Sequence, residues 1–290
     1  MQWLEDKSKG RILADIRTGQ VGVKAGLCAE RKLVVILSSP LFMIAPMAAP
    51  IVRFQNVSKS FGSVEILHGV GFDVLPGQLL GLAGENGAGK TTLIKCMLDF
   101  CTFEKGLIEI NGIPSSQPGA RASLSFLPER FTPPWYLTGR EFVRATMQMS
   151  GAEWNESAVL STFADLDLAT SSLDKPVRTF SKGMTQKLGL AACFLSRKGL
   201  LVLDEPMSGL DPSARVRVKD LLGRLKCSGK SLIFTSHSLA DIDEICDHMV
   251  VLHCGSVAFS GTPPELLERQ SEKSLERAFL SCIEASSHGR

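Results

Sequence analysis

Apolar and polar residues alternate along Ile51-Val52-Arg53-Phe54-Gln55-Asn56-Val57, the period-two pattern of a strand with one buried face. Ser58 to Ser63, with Gly62 inside it, reads as a turn. Ile66 to Val74 reads as further strand, where Gly69 and Gly71 point to a bulge. Pro76-Gly77 then turns the chain into an unbroken apolar run, Leu79-Leu80-Gly81-Leu82-Ala83, and Leu93 to Leu98 is compatible with a helix. Leu107-Ile108-Glu109-Ile110 is a short strand closed by Asn111-Gly112, a hairpin signal, and Ser123 to Leu127 is another that stops at Pro128. From Phe131 to Lys198 the period becomes helical. Thr138-Gly139-Arg140-Glu141 is a capping box that opens a helix running through Met149. Asn155 or Ser157 starts a second helix, ending near Leu168, and Lys182 or Gly183 opens a third over Met184 to Ser196. Strands resume at Leu200 to Leu203 and Ser231 to Thr235. A hairpin follows, with Met249 to Leu252 and Ser256 to Phe259 flanking Cys254-Gly255. The tail from Pro263 is helical and charged, with Leu266, Leu267, Leu275, Phe279 and Leu280 on its apolar side.

Short, wholly apolar strands alternating with helices predict an α/β fold on a parallel sheet. The pattern divides the chain into a leader over 1–50, a main domain over 51–262 with a helical insert at about 131–198, and a helical tail over 263–290.

Chemistry enters at Gly84-Glu85-Asn86-Gly87-Ala88-Gly89-Lys90-Thr91-Thr92, which fits the phosphate-binding pattern G-x-x-x-x-G-K-[ST] between a strand and a helix. Glycines at 84, 87 and 89 let successive N–H groups converge on one anion, and the helix that follows adds positive potential at its N-terminus. Lys90 is expected to reach the β- and γ-phosphates, and the Thr91 hydroxyl to bind Mg²⁺. The run Leu200-Leu201-Val202-Leu203-Asp204-Glu205 ends a buried strand in two acids. Buried carboxylates need a partner, and a Mg²⁺ opposite the phosphate loop would serve Asp204. Strand alternation aims Glu205 elsewhere, where it could deprotonate an attacking water. These residues predict a chain that binds a nucleoside triphosphate.

Further motifs resemble the nucleotide-binding domain of ABC transporters, over about residues 51 to 280. Phe180-Ser181-Lys182-Gly183-Met184-Thr185-Gln186-Lys187 resembles the family signature and lies just over twenty residues before Asp204. Pro206-Met207-Ser208-Gly209-Leu210-Asp211-Pro212 resembles the D-loop, Thr235-Ser236-His237-Ser238 the switch-histidine segment, and Ser125-Phe126-Leu127-Pro128-Glu129-Arg130 the Q-loop. The resemblance implies a P-loop NTPase core with an antiparallel β subdomain and an inserted α-helical subdomain. It assigns Ser181 and Gly183 to the γ-phosphate of ATP held by a second subunit, Asp211 to nucleotide binding, His237 to the γ-phosphate, and Glu129 to the metal. Phe61, about 29 residues before Lys90, matches the adenine platform, although it could equally be a strand-core residue. Four departures stand out: Phe180 for Leu, Lys182 for Gly and Met184 for Gln in the signature, and Glu129 for Gln in the Q-loop. Glu205 and His237 are intact, so a hydrolysing site is expected.

The expected system is the ATPase subunit of a two-component exporter. A homodimer clamps ATP and Mg²⁺ and drives a separately encoded transmembrane permease from the cytoplasmic face of the membrane. Phe131-Thr132-Pro133-Pro134-Trp135-Tyr136-Leu137 is either local packing beneath the helices or a docking groove for that permease. The alternative class is a soluble ABC ATPase acting on the ribosome or on DNA.

Composition changes little in this picture. Residues 1–32 hold seven Lys/Arg against four Asp/Glu, so the net charge of +2 leaves about −1 elsewhere and no basic footprint for nucleic acid. Eight cysteines without a C-x-x-C pair read as free thiols of a reducing compartment. Leu33 to Val52 is apolar apart from two serines, but Pro40, Pro46 and Pro50 interrupt it, and it reads as a loose leader. Met43 and Met47 are alternative starts.

Overall fold

The computed structural model describes residues 49–288. The leader expectation, and with it most of the apolar stretch from Leu33, lies outside the described residues. Among those residues no helix is long and apolar enough to cross a membrane.

The alternating segment forms β1 (Val52–Phe61), paired antiparallel with β2 (Val64–Val74). The turn expected over 58–63 shrinks to Gly62 and Ser63, because β1 continues through Ser58, Lys59 and Ser60. Register shifts along the pair make this extension feasible. Ser58 Oγ accepts the N–H of Gly69, and Glu104 accepts the N–H of Ser60, so groups displaced from the ladder still find partners. β3 (Leu79–Gly84) and α1 (Lys90–Met97) enclose the phosphate loop. β4 (Lys105–Ile110) and β5 (Ile113–Pro114) complete a four-stranded antiparallel sheet in the order β2-β1-β4-β5. Its Asn111-Gly112 turn has both residues at positive φ, 52° and 72°, as the hairpin signal requires.

The second sheet has six strands in the order β10-β9-β3-β8-β7-β6. β6 (Leu124–Leu127), β7 (Leu200–Leu203), β8 (Ser231–Thr235), β3 and β9 (His248–His253) run parallel, and β10 (Ser256–Gly261) is the antiparallel edge. Strand residues alternate between two cores. Leu79, Ala83, Leu201, Leu203, Leu232 and Phe234 face a helical layer. Leu80, Leu82, Leu200, Val202 and Ile233 face α1 and the antiparallel sheet. Both faces are covered, which is why these strands read as continuous apolar runs.

The helical layer holds the three predicted helices, α2 (Gly139–Met149), α3 (Glu156–Asp165) and α4 (Lys182–Leu195). The Thr138–Glu141 capping box is present in full. Phe142, Val143, Met147, Val159, Phe163 and Leu188 lock these helices together. The aromatic loop behind the Q-loop divides its roles. Phe131 packs edge-on against Phe142 with 5.6 Å between centroids, whereas Trp135 and Tyr136 are 63% and 65% exposed. α5 (Pro212–Cys227) and α6 (Leu239–Ile245) follow β7 and β8. α7 (Pro263–Gln270) and α8 (Leu275–His288) set Leu266, Leu275, Ala278, Phe279 and Ile283 into the core shared with the sheet.

Parallel strands direct their carboxyl ends to one side, where a ligand crevice forms. At that edge β3 becomes the phosphate loop, β7 ends before Asp204 and β8 ends in Thr235. Gly84 makes the turn out of β3 at φ 155°, and a Cβ there would lie 2.5 Å from the Leu252 carbonyl oxygen on β9. Gly84→Ala is therefore expected to cost about 2–4 kcal/mol through strained backbone and overpacking, lowering the midpoint of urea denaturation.

Candidate functional site

The loop from Glu85 to Gly89 leaves β3 and returns as α1, whose N-terminus carries Gly89 at φ 107° with no side-chain cap. Among the described residues no side chain caps the start of α1, and its first N–H groups suit an incoming anion. Lys90 is buried, and its Nζ donates to the carbonyls of Gly84 at 2.6 Å and Glu85 at 3.1 Å. Those bonds wrap the side chain back across the loop and hold the ammonium at its mouth. Burial lowers the Lys90 pKa, and the carboxylates of Glu205, Asp204, Glu129 and Glu85 oppose that shift. One ammonium thus faces four acids.

β7 delivers the two principal acids. Asp204 is 3% exposed, and its two oxygens are held separately. Oδ1 accepts the Thr235 hydroxyl at 2.7 Å, and Oδ2 lies 3.3 Å from the Thr91 hydroxyl. Burial raises its pKa, while the Thr235 hydrogen bond pulls it back. Glu205 sits at φ 51°, a left-handed conformation uncommon for a non-glycine residue, and its carboxylate meets His237 whereas that of Asp204 meets Thr91 and Thr235. Its Oε1 is buried with no hydrogen-bond partner, and His237 Nε2 lies 3.2 Å away at ion-pair distance without hydrogen-bond geometry. Burial raises the Glu205 pKa too, opposed by the imidazole and backbone N–H of His237.

These residues line one open cavity of about 340 Å³: Glu85 to Thr92, Glu129, Asp204, Glu205 and His237, with Ile66 as an apolar wall. The structure therefore joins the phosphate loop, the strand-end acids, the Q-loop acid and the switch histidine. Gly84 lies at the rim through its bond to Lys90. Besides Gly84, four sequence-derived candidates are not among the lining residues. Phe61 is 53% exposed at the β1–β2 turn, with Lys59 Nζ 4.9 Å above its ring. Ser181 caps α4, accepting the Met184 N–H at 3.2 Å, and Gly183 faces the Gly209 carbonyl. Asp211 caps α5, accepting from Ala214 N at 2.9 Å and Ser213 Oγ at 2.7 Å. Those bonds hold its carboxyl below the usual range.

Two contributors escaped sequence reasoning. Ile66 carried no signal beyond strand apolarity. Thr235 was visible only as part of the switch segment, because its partners come from β7. Gln186 likewise closes the site from behind, donating to the Pro206 carbonyl at 3.0 Å and tying α4 to the turn after Glu205.

The oxygen donors present fit a hard cation: a hydroxyl and a carboxylate 3.3 Å apart, with a second carboxylate on the cavity wall. Among the described residues no group of three or more His, Cys, Asp or Glu makes a metal cage. Mg²⁺ is commonly held by one or two protein oxygens plus phosphate and water.

The ABC transporter family model matches residues 67–208. An uncharacterized ABC transporter ATP-binding protein of Synechocystis sp. is 32% identical over 84% of this chain and 72% of its own length. Nod factor export ATP-binding protein I of Cupriavidus metallidurans is 31% identical over 76% of this chain and 74% of its own. The solved structure of an ATP-binding subunit of an ABC transporter superposes with a TM-score of 0.74 at 28% identity, over 80% of this chain and 99% of that one.

A buried acid with a raised pKa favours the folded state while protonated, so its charged form destabilises the nucleotide-free fold once pH exceeds the unfolded value. Asp204→Asn removes that charge. The variant should melt higher than the parent at pH 8, with roughly 2–4 °C for each kcal/mol recovered, and the gain should shrink towards pH 4 in calorimetric scans.

Proposed function

This chain belongs to the ABC transporter family and is an ATP-binding, ATP-hydrolysing subunit, and we propose that the residues around its phosphate loop divide that work as follows. Backbone N–H groups of Gly87 to Thr92 and the Lys90 ammonium bind the β- and γ-phosphates. Thr91 and Asp204 would hold Mg²⁺, with Glu129 contributing directly or through water, and a metal there would supply positive charge against the phosphates. Glu205 takes a proton from the attacking water, oriented by His237, which also meets the γ-phosphate. The observation that carries this reading is that Glu205 lines the cavity beside the phosphate loop with a buried Oε1 that makes no hydrogen bond and has His237 Nε2 3.2 Å away.

Donors for the γ-phosphate would also come from a second copy of the chain. The N-terminus of α4, with an exposed Ser181, lies outside the cavity of its own subunit. Ser181 Oγ uses a lone pair on Met184 N, and its own proton remains for an acceptor. A second copy of the chain, docked head to tail, would put that helix end against the nucleotide. Phe61, about half exposed with Lys59 Nζ over one face of its ring, would stack on adenine through the other face. Closure of the dimer on ATP and its release after hydrolysis would drive a separately encoded permease, for which Trp135 and Tyr136 offer exposed aromatic surface. That partner would hold the chain at the inner face of the membrane. Similarity to a Nod factor export protein supports outward transport.

The Lys90→Ala variant should lose ATP binding in equilibrium dialysis. Glu205→Gln should bind ATP, lose about 10²–10⁴-fold in turnover and accumulate as a dimer on gel filtration; unchanged turnover would remove Glu205 as the base. Since the base must be ionised and burial raises its pKa, kcat/KM should fall as pH drops, beginning above the ordinary glutamate range. That acid limb should be missing from the residual rate of Glu205→Gln. Ser181→Ala should lower hydrolysis in the dimer and leave nucleotide affinity of the isolated subunit unchanged, measured by fluorescent-nucleotide titration.

A further inference from the structure

The two acids that end β7 owe their arrangement to a residue on the neighbouring strand. Thr235 is the last residue of β8 and is fully buried. Its hydroxyl lies 2.7 Å from Asp204 Oδ1 and 2.8 Å from the backbone N of Glu205. The direction of both bonds follows from proton counting. An ionised carboxylate only accepts, a backbone N–H only donates, and a threonine hydroxyl has one proton and two lone pairs. The Thr235 proton therefore points at Asp204, and one lone pair receives Glu205 N–H. Only one orientation of the hydroxyl satisfies both.

Each bond settles a degree of freedom that hydrolysis needs. The bond to Oδ1 fixes the Asp204 carboxylate plane, leaving Oδ2 towards Thr91. The bond from Glu205 N supports a residue at φ 51°, a strained conformation that persists only when its surroundings over-determine it. Two residues on, His237 presents its imidazole to the Glu205 carboxylate. Residues 235 and 237 of one strand end thus grip two consecutive acids of the next.

We propose that Thr235 is the positioning residue of the hydrolytic site, its hydroxyl setting the Asp204 carboxylate and holding Glu205 in the backbone conformation that separates the two acids. The proposal rests on the reading that Asp204 serves the metal and Glu205 the water. It assigns Thr235 no contact with nucleotide, and it predicts a change in kcat in preference to KM.

Thr235→Val, close in shape and without the hydroxyl, is compared with Thr235→Ser, which keeps it. Hydrogen exchange on the nucleotide-free protein should show the peptide containing Glu205 exchanging about tenfold faster in the valine variant, since one buried amide loses its acceptor. The serine variant should match the parent. For ATP turnover the valine variant should lose roughly 10–100-fold in kcat with KM within about threefold, and serine should restore the rate. In a Glu205→Gln background the valine change should add little, because both act through one group. A folded valine variant with parental exchange or parental kcat overturns the proposal, as does a serine variant as slow as valine. If valine prevents folding, the decision passes to serine alone: parental kcat and exchange support the role, and loss of either ends it. Normal turnover by Glu205→Gln on its own would instead defeat the underlying catalytic reading.

Discussion

The organising constraint is the burial of two carboxylates at the end of an apolar strand. A parallel sheet covered on both faces has no solvent at its centre, so β7 can end in acids only where its edge opens to a ligand crevice. Everything around Asp204 and Glu205 answers that demand in part. Thr91 and Thr235 supply hydroxyls to one acid, His237 and its backbone approach the other, and Lys90 is the one ammonium among the cavity-lining residues. The balance stays negative, with four acids against one ammonium, and burial raises the pKa of both strand-end groups. The arrangement is strained alone and suited to a cation with its phosphates, which separates a site built to bind from one built to stabilise the fold.

Three helix N-termini near the crevice are finished differently, and the difference tracks use. α1 begins at a glycine with no side-chain cap, which keeps its N–H groups for phosphate. α4 begins at Ser181, whose oxygen satisfies one N–H while its proton is still available. α5 begins at Asp211, a charged cap whose Oδ1 accepts from Ala214 N and Ser213 Oγ. In the proposed head-to-tail dimer, the first meets a ligand of its own subunit and the second a ligand of the other.

The elements that sequence pattern reveals best are those whose determinants are local. The capping box at Thr138, the Asn111-Gly112 and Cys254-Gly255 turns and the runs over 79–83 and 200–203 depend on residues within a few positions of each other. The β1 boundary was misjudged because Ser58, Lys59 and Ser60 look like a turn until Gly69 and Glu104 supply their partners from elsewhere. The aromatic cluster after Pro128 could not be divided into packed Phe131 and exposed Trp135 and Tyr136 without α2 to receive the first ring.

By itself the sequence determined the chemistry of the parts: a phosphate loop, two acids after an apolar strand, a histidine segment and a capped helix start, each written in contiguous residues. Only the tertiary structure decided how they combine. Strand order sets β3 beside β8 and β8 beside β7, although β3 lies more than a hundred residues before the other two, and it gives Asp204 and Glu205 different partners. It also converts an ordinary strand-end threonine into the hinge pin between them. The reason is geometric. A hydrogen bond depends on ångström distances and on which group holds the proton, and no spacing along the chain encodes either when the partners come from different strands.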